Sequence, residues 1–411
     1  MKVLHVVAGE LSQGAARGAY WLHLGLIERG VNSKILTDSK MTLNDDNVVT
    51  VNKGGKNKLL CFIRGWLDVS LSWIYRKRKL TIFSSGFVGF NFTKTKEYEE
   101  ADIVHFHWIN GGFINIRHIS KVKKPIVWTM RDMWPMTGGC HVADALECDR
   151  YKVGCGKCKQ LKSKHIWDLS KIVVNRKKRY LPKTINVVGI SDWLSGKAVS
   201  SYLFREHKIL TIHNNINTKE FFPIRKEVAR SILSLNTKKK IILCGVTDAK
   251  LFYKGFDKYL EAISLLDQDN IFLLFFGNVN RPDIEKVGIE YSSLGYLYDN
   301  VSLRIAYSAS DVFVSPSIMD SFGKTIAEAM ACGTPSVCFD ATGPKEIIDH
   351  KVNGYKAEPF DAKCLAEGIN WVIDDSERYR WLCENARKKI QTQFSEKVIS
   401  EKYLELYRGL V

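Results

Sequence analysis

Short apolar runs alternate with longer helical patterns from one end of the chain to the other, and this alternation limits the fold more than any other feature. Residues 3–7 read as a buried strand. Its glycine-bearing exit, Gly9 and Gly14, leads into a helix over 15–28, and Gly30 stands where a helix closes in a left-handed conformation. Further strands are predicted at 103–107, 125–130, 187–190 and 208–212. A second series begins after Phe222-Pro223, with strands at 241–246, 271–276, 311–314 and 336–339 and helices at 256–266, 301–308 and 324–332. Strand–helix–strand units build parallel sheets, because parallel neighbours need a crossover. The expected fold class is α/β, with two Rossmann-like parallel-sheet domains facing a central cleft. The expected boundaries are 1–218 for the first domain, 219–238 for a linker and 239–376 for the second domain. A helical stretch at 377–411 is expected to pack back on the first domain. Residues 42–96 show no comparable pattern and read as basic and irregular.

Composition narrows the function classes. With 45% hydrophobic and 26% charged residues among 411, the chain is neither disordered nor low in complexity. The 61 basic and 44 acidic side chains leave a net charge of +17, which favours an anionic partner. No run of ~18 apolar residues occurs, so no helix is expected to span a bilayer. Ten cysteines are too few for a disulfide-held scaffold, and the apolar start turns polar by Glu10. A reducing, cytoplasmic protein, peripheral on the inner face of the cell membrane, is the expectation. No nucleic-acid module is recognisable, so nucleic acid is not the anionic partner expected.

Ser315-Pro316-Ser317-Ile318-Met319-Asp320-Ser321-Phe322-Gly323-Lys324-Thr325-Ile326-Ala327-Glu328-Ala329-Met330-Ala331-Cys332-Gly333-Thr334-Pro335 carries the most chemistry. A strand ends at a loop holding one carboxylate, a glycine opens a helix, and a second carboxylate follows within it. Backbone N–H groups of Ser321, Phe322, Gly323, Lys324 and Thr325 are expected to point into the cleft at a helix N-terminus, where phosphates or sugar hydroxyls bind.

This stretch resembles the Glu-x7-Glu signature of retaining GT-B glycosyltransferases, family 4 or group 1. Gly14-Ala15-Ala16-Arg17 is similar to that family's glycine-rich loop near the donor phosphates. Asn214-Asn215-Ile216-Asn217, followed by Phe221-Phe222-Pro223, resembles its segment at the domain junction. Lys254-Gly255-Phe256 resembles its Lys-Gly motif, and Gly343-Pro344-Lys345-Glu346-Ile347-Ile348 its Gly-Gly-x-x-Glu segment. The resemblance implies a nucleotide-sugar donor and a saccharide or polyprenyl-linked acceptor used for surface polysaccharide or lipopolysaccharide. It also implies retention of configuration and no catalytic cofactor or metal. Glu328 would hold the nucleotide ribose, Lys254 the pyrophosphate and Asp320 the transferred sugar, with Gly14, Ala15 and the 321–325 amides beside the donor. A nucleotide-sugar epimerase of similar fold and a non-catalytic sugar-binding scaffold are the rival readings.

The sequence departs from the family pattern at three places. Asp320 stands for the first glutamate, one methylene shorter. The arginine upstream of Lys-Gly is absent, leaving Lys250 as the substitute. Arg131, in Thr129-Met130-Arg131-Asp132, stands where many relatives have histidine; a guanidinium stays protonated and binds anions in a forked geometry. Arg131 and Asp132, together with His107 and Trp108 at the end of a predicted strand, are the acceptor-side candidates. Alternation places His105 and His107 on one side of that strand, which fits core packing equally well.

Two features lie outside the family motifs. Cys140, Cys148, Cys155 and Cys158 fall within 19 residues as C-x7-C-x6-C-x2-C, a spacing open to structural zinc, free thiols or disulfides. Lys53, Lys56, Lys58, Arg64, Arg76, Lys77, Arg78 and Lys79 flank a segment rich in Trp, Phe and Leu, the composition of an interfacial helix or of a core helix with a basic edge. With a second basic run at 157–179, these residues favour contact with an anionic membrane surface.

Overall fold

The computed structural model describes residues 1–12, 14–39, 45–279 and 281–411. The chain divides into two compact units, Met1–His213 with Ile399–Val411, and Asn214–Val398. Each is built on one parallel sheet.

The first unit has β1 (Lys2–Val7), β2 (Asn32–Thr37), β3 (Val48–Thr50), β4 (Ile103–Phe106), β5 (Ile126–Met130), β6 (Asn186–Gly189) and β7 (Ile209–Thr211). Their order is β3-β2-β1-β4-β5-β6-β7, and every neighbouring pair is parallel. Strands covered on both faces read as continuous apolar runs, which is why β1 and β5 stand out in the sequence. The helix Gly14–Ile27 lies between β1 and β2, and Gly30 beyond it has φ +76°, the left-handed turn expected there.

The second unit has β8 (Lys240–Asp248), β9 (Ile271–Asn278), β10 (Tyr291–Ser293), β11 (Val312–Ser315), β12 (Ser336–Phe339) and β13 (Gly354–Ala357) in the order β10-β9-β8-β11-β12-β13. All these pairs are parallel too. The sheet order reverses beside β1/β4 in the first unit and β8/β11 in the second. Crevices at such switch points, beyond the carboxyl ends of the strands, are where ligands bind. The α/β expectation with two Rossmann-like sheets therefore holds.

Several local expectations change. Residues 42–96 are not irregular throughout: they contain β3 and the helix Gly54–Ser70, while 42–44 lie outside the described residues. The strands β2, β10 and β13 were not predicted. The 377–411 stretch consists of the helix Ser376–Lys389, a π-turn at Ile390–Phe394 and, after the extended Ser395, the helix Glu396–Arg408. Helix Lys226–Ile232 occupies the middle of the expected linker. Ile399, Tyr403, Leu404 and Tyr407 bury themselves with Val3, Leu22, Ile103 and Val127 of the first unit.

Candidate donor and acceptor-side sites

In the second unit, β8 ends at Asp248 and a short 3-10 turn, Phe252–Lys254, follows. Gly255, with φ +64°, turns the chain into the helix Phe256–Ile263; a Cβ there would stand 2.0 Å from the carbonyl oxygen of Pro316. That close approach seats the Lys-Gly turn against the segment after β11. The amides of Ile318 and Met319 both donate to the Tyr253 carbonyl, at 3.0 and 3.2 Å.

The result is one small polar cluster. Lys254 Nζ donates to Asp320 Oδ2 at 2.9 Å. Asp320 Oδ1 accepts the amides of Phe322 at 3.2 Å and Gly323 at 3.1 Å. Burial pushes the Asp320 carboxyl up, but the Lys254 charge, its hydrogen bond and the two amides outweigh it and hold the pKa below the ordinary value. Burial pulls Lys254 down, and Asp320 more than compensates, leaving the ammonium more basic than usual. Both shifts favour the ion pair. Two of the amides expected to be offered to a ligand are thus turned onto Asp320 in this structure. Phe322 and Gly323 are buried, while Ser321, Lys324 and Thr325 are half-buried at the start of the helix Lys324–Ala331.

Glu328 lies in that helix, fully buried, and accepts the Tyr307 hydroxyl at 3.0 Å. Sequence reasoning missed Tyr307, since nothing local to helix Asn300–Ala309 marks one tyrosine as a carboxylate partner. Lys250 is exposed, and its amide donates to Asp248 Oδ1 at 3.0 Å. Gly14, with φ +48°, and the half-buried Ala15 begin the helix Gly14–Ile27 of the first unit.

In the first unit, the acceptor-side candidates fall into two hydrogen-bonded groups. Asp132 Oδ2 accepts Trp108 Nε1 at 2.9 Å and lies 2.7 Å from His141 Nδ1, while its Oδ1 accepts the Trp134 amide at 2.8 Å. Burial raises the Asp132 carboxyl, but the His141 contact and these hydrogen bonds prevail and hold it below the ordinary value. His107 and Arg131 belong to the other group. Arg131 Nη2 lies 3.1 Å from His107 Nδ1, and His107 Nε2 lies 2.9 Å from His5 Nδ1. A guanidinium only donates, so His107 Nδ1 accepts and its proton sits on Nε2. That proton is donated to His5, whose own proton then sits on Nε2, a buried atom with no hydrogen-bond partner.

His105 completes the array. It pairs with His5 across β1 and β4, and bonds the Tyr407 hydroxyl at 2.6 Å and Thr129 Oγ1 at 2.7 Å. Thr129 Oγ1 in turn meets the Tyr403 hydroxyl at 2.7 Å. Burial first, then neighbouring imidazoles and Arg131, push His5, His105 and His107 well below the usual histidine range. The three offer nitrogens within 4.8 Å of one another, the spacing of a metal cage. A dication there would face the Arg131 charge, and the tyrosine and threonine hydroxyls already occupy His105. The array is therefore one of neutral, hydrogen-bonded imidazoles. His107 is enclosed in the core and Trp108 is half-buried, so of that pair the indole is nearer to solvent.

The helix Gly54–Ser70 presents an apolar stripe to solvent. Leu59, Phe62, Ile63, Trp66 and Leu67 follow one another at helical spacing and are all exposed, Phe62 to 73%. Asp68, on the opposite side, is buried and accepts Ser85 Oγ at 2.9 Å and the Gly86 amide at 2.6 Å, which pins the helix. Trp73, Ile74, Leu80 and Ile82 continue the exposed set. The Tyr75 hydroxyl accepts the Leu169 amide and the Lys79 amide donates to Gln160, so the exposed Ile166 and Trp167 lie on the neighbouring loop. Neither a core helix nor scattered surface residues would look like this. Among the described residues no helix is long and apolar enough to cross a membrane.

Comparison with known proteins agrees with the second unit's geometry. Residues 225–389 match the family model of glycosyl transferases group 1. The N,N'-diacetylbacillosaminyl-diphospho-undecaprenol alpha-1,3-N-acetylgalactosaminyltransferase of Campylobacter jejuni is 31% identical over 214 residues, 50% of this chain and 56% of that protein. The capsular polysaccharide biosynthesis glycosyltransferase CapM of Staphylococcus aureus is 24% identical over 237 residues, 54% of this chain and 61% of that protein. The matched segments thus span little more than half the length of these relatives. The sucrose-phosphate synthase of Thermosynechococcus elongatus has the same fold, with a TM-score of 0.70 at 17% identity over 100% of this chain and 99% of that one.

Proposed function

We propose that the chain is a GT-B glycosyltransferase that moves a sugar from a nucleotide-sugar to a saccharide acceptor, carried on a polyprenyl-type lipid, in surface polysaccharide or lipopolysaccharide synthesis. The observation that carries this reading is the Lys254–Asp320 pair at the β8/β11 switch point, inside the segment that matches the glycosyl transferase group 1 model. In this reading a donor diphosphate draws Lys254 away from Asp320 and takes its charge. Negative charge grows on the diphosphate as the sugar–oxygen bond breaks, so a preorganised ammonium stabilises the transition state more than the ground state. Asp320, released from Lys254, accepts hydroxyl protons of the transferred sugar, and Glu328 accepts those of the ribose. Reaction with retention and without a catalytic metal belongs to the same reading. It rests on the resemblance to family 4.

We further place the acceptor's lipid at an anionic membrane surface. Support comes from the exposed stripe of Leu59, Phe62, Ile63, Trp66 and Leu67 flanked by Lys53, Lys56, Lys58, Arg64, Arg76, Lys77, Arg78 and Lys79. Apolar side chains enter the acyl boundary while cations stay with anionic headgroups.

The deciding experiment incubates the protein with a panel of nucleotide-sugars, with and without a lipid-linked saccharide, and follows release of nucleoside diphosphate and appearance of the extended saccharide. Acceptor-dependent release supports the reading. Isomerisation of the donor without an acceptor selects the epimerase alternative, and binding without turnover selects the scaffold.

A further inference from the structure

The segment between the turn Trp134–Met136 and the helix Leu169–Tyr180 has nearly half of its residues buried, yet among its described residues the regular structure is two 3-10 turns, Asp144–Leu146 and Arg150–Val153. A loop of this length inside a compact unit needs something besides backbone ladders to hold it. Cys140, Cys148, Cys155 and Cys158 all line one cavity of about 20 Å³ within it, with Ala143, Leu146 and Tyr151. Backbone amides are aimed at the sulfurs: Gly138 at Cys155 Sγ, 3.2 Å away, Val142 at Cys140, and Gln160 and Leu161 at Cys158. Gly154, Cys155, Gly156 and Lys157 are four consecutive residues with positive φ, between 49° and 86°. Two of them carry side chains that resist this conformation, and such strain persists where the surroundings fix it.

A charge partner is present too. Lys177 is fully buried, 3.5 Å from the Trp134 ring centre, with its ammonium on the carbonyls of Trp134 and Thr137.

We propose that Cys140, Cys148, Cys155 and Cys158 bind one soft divalent cation of the zinc type as a structural site independent of sugar transfer. Four thiols bind the cation and release four protons, leaving a tetrathiolate centre of charge −2. The amides above and the Lys177 ammonium offset that charge. Among the described residues, no three of these sulfurs stand within 4.8 Å of one another as the nitrogens of His5, His105 and His107 do. Zinc–sulfur bonds of ~2.3 Å set tetrahedral sulfurs ~3.8 Å apart. Ligation therefore draws the four sulfurs together and tightens the 138–168 loop.

The test uses the full chain, made without a polyhistidine tag and kept reduced. Metal analysis is expected to find one zinc per chain. Cobalt(II) added to chelator-stripped protein should give the absorption of a tetrahedral thiolate centre. Zinc titration should release protons and slow proteolysis within 138–168. Cys148→Ser, at the half-buried edge, should lower the metal content while the chain still folds, and Cys61→Ser, on the helix Gly54–Ser70, should not. Reduced protein that folds, takes up neither zinc nor cobalt and is unaffected by chelators would overturn the proposal. So would disulfides joining these cysteines in protein isolated from the cytoplasm with thiols blocked.

Discussion

Lys254 Nζ and Asp320 Oδ2 are 2.9 Å apart although 66 positions separate them in the chain, and each shifts the other toward its charged form. In the proposed function the pair is a resting contact that a donor diphosphate displaces. Lys254→Ala is therefore expected to lower turnover by about 10²–10³-fold, the loss typical of removing one preorganised charge stabiliser, and to weaken nucleoside diphosphate binding much less. Asp320→Ala should impair sugar transfer and leave bare diphosphate affinity intact or improved, because Lys254 is then unengaged. Glu328→Ala should act chiefly on nucleotide affinity. Steady-state kinetics and calorimetric diphosphate titration of each variant check this. Wild-type turnover in both Lys254→Ala and Glu328→Ala would remove the site assignment.

Gly255 combines φ +64° with a Cβ position 2.0 Å from the Pro316 carbonyl oxygen. Gly255→Ala is expected to destabilise the second unit by more than ~1 kcal/mol and to shift Lys254 away from Asp320. Thermal melting reads the first effect and diphosphate affinity the second. A variant as stable and as tight-binding as the parent would show that the turn is not held as described.

The histidines predict acid sensitivity. His23, fully buried, is lowered by burial from 6.5 to about 4. A histidine depressed in the folded state favours folding above its unfolded pKa, and that stability is lost as pH falls from 6.5 toward 4. For His23 the loss is about 3 kcal/mol, at ~1.4 kcal/mol per unit. His5, His105 and His107 act in the same direction. Asp38, raised by burial to about 6, acts in the opposite direction below pH 6 and offsets part of the loss. The melting temperature should fall between pH 7 and 5. A flat profile would mean that these imidazoles are not buried in solution.

Vesicle co-sedimentation tests the exposed helix. Binding should require anionic lipid and weaken with salt, since screening acts over ~8–10 Å at physiological ionic strength. Phe62→Ser with Trp66→Ser should weaken binding about tenfold or more, since burying an apolar side chain of this size is worth ~1.5–3 kcal/mol. Equal binding to neutral and anionic vesicles, or none to either, would sink the assignment. A dimer that covers the stripe would replace lipid with a second copy.

The parallel-sheet architecture was legible because doubly covered strands are apolar at nearly every position, as in β1, β5 and β11. The strand β2, Asn-Ser-Lys-Ile-Leu-Thr, was not, because four of its six residues are polar: its Ser33 is hydrogen-bonded to His23 and its Lys34 paired with Glu100. Lys254 and Asp320 were assigned to one site through the family resemblance, each by the motif around it. The partners Tyr307 of Glu328 and Tyr407 of His105 could not be assigned, since 302 positions separate the latter two. One signal was available: β1 and β4 are neighbours in this sheet order, so His5 and His105 at matching depth predict a shared layer.

Tyr403 and Tyr407 carry one more consequence, for the order of folding during synthesis. The second unit is a continuous segment, Asn214–Val398, and can close as soon as it has been translated. The first unit waits: its buried imidazole layer is completed by hydroxyls from Ile399–Val411, supplied only after the whole of Asn214–Val398. The strands translated before Asn214 are therefore finished after those that follow it. A nascent chain stalled before residue 399 should present a protease-resistant second unit beside a first unit still open to cleavage.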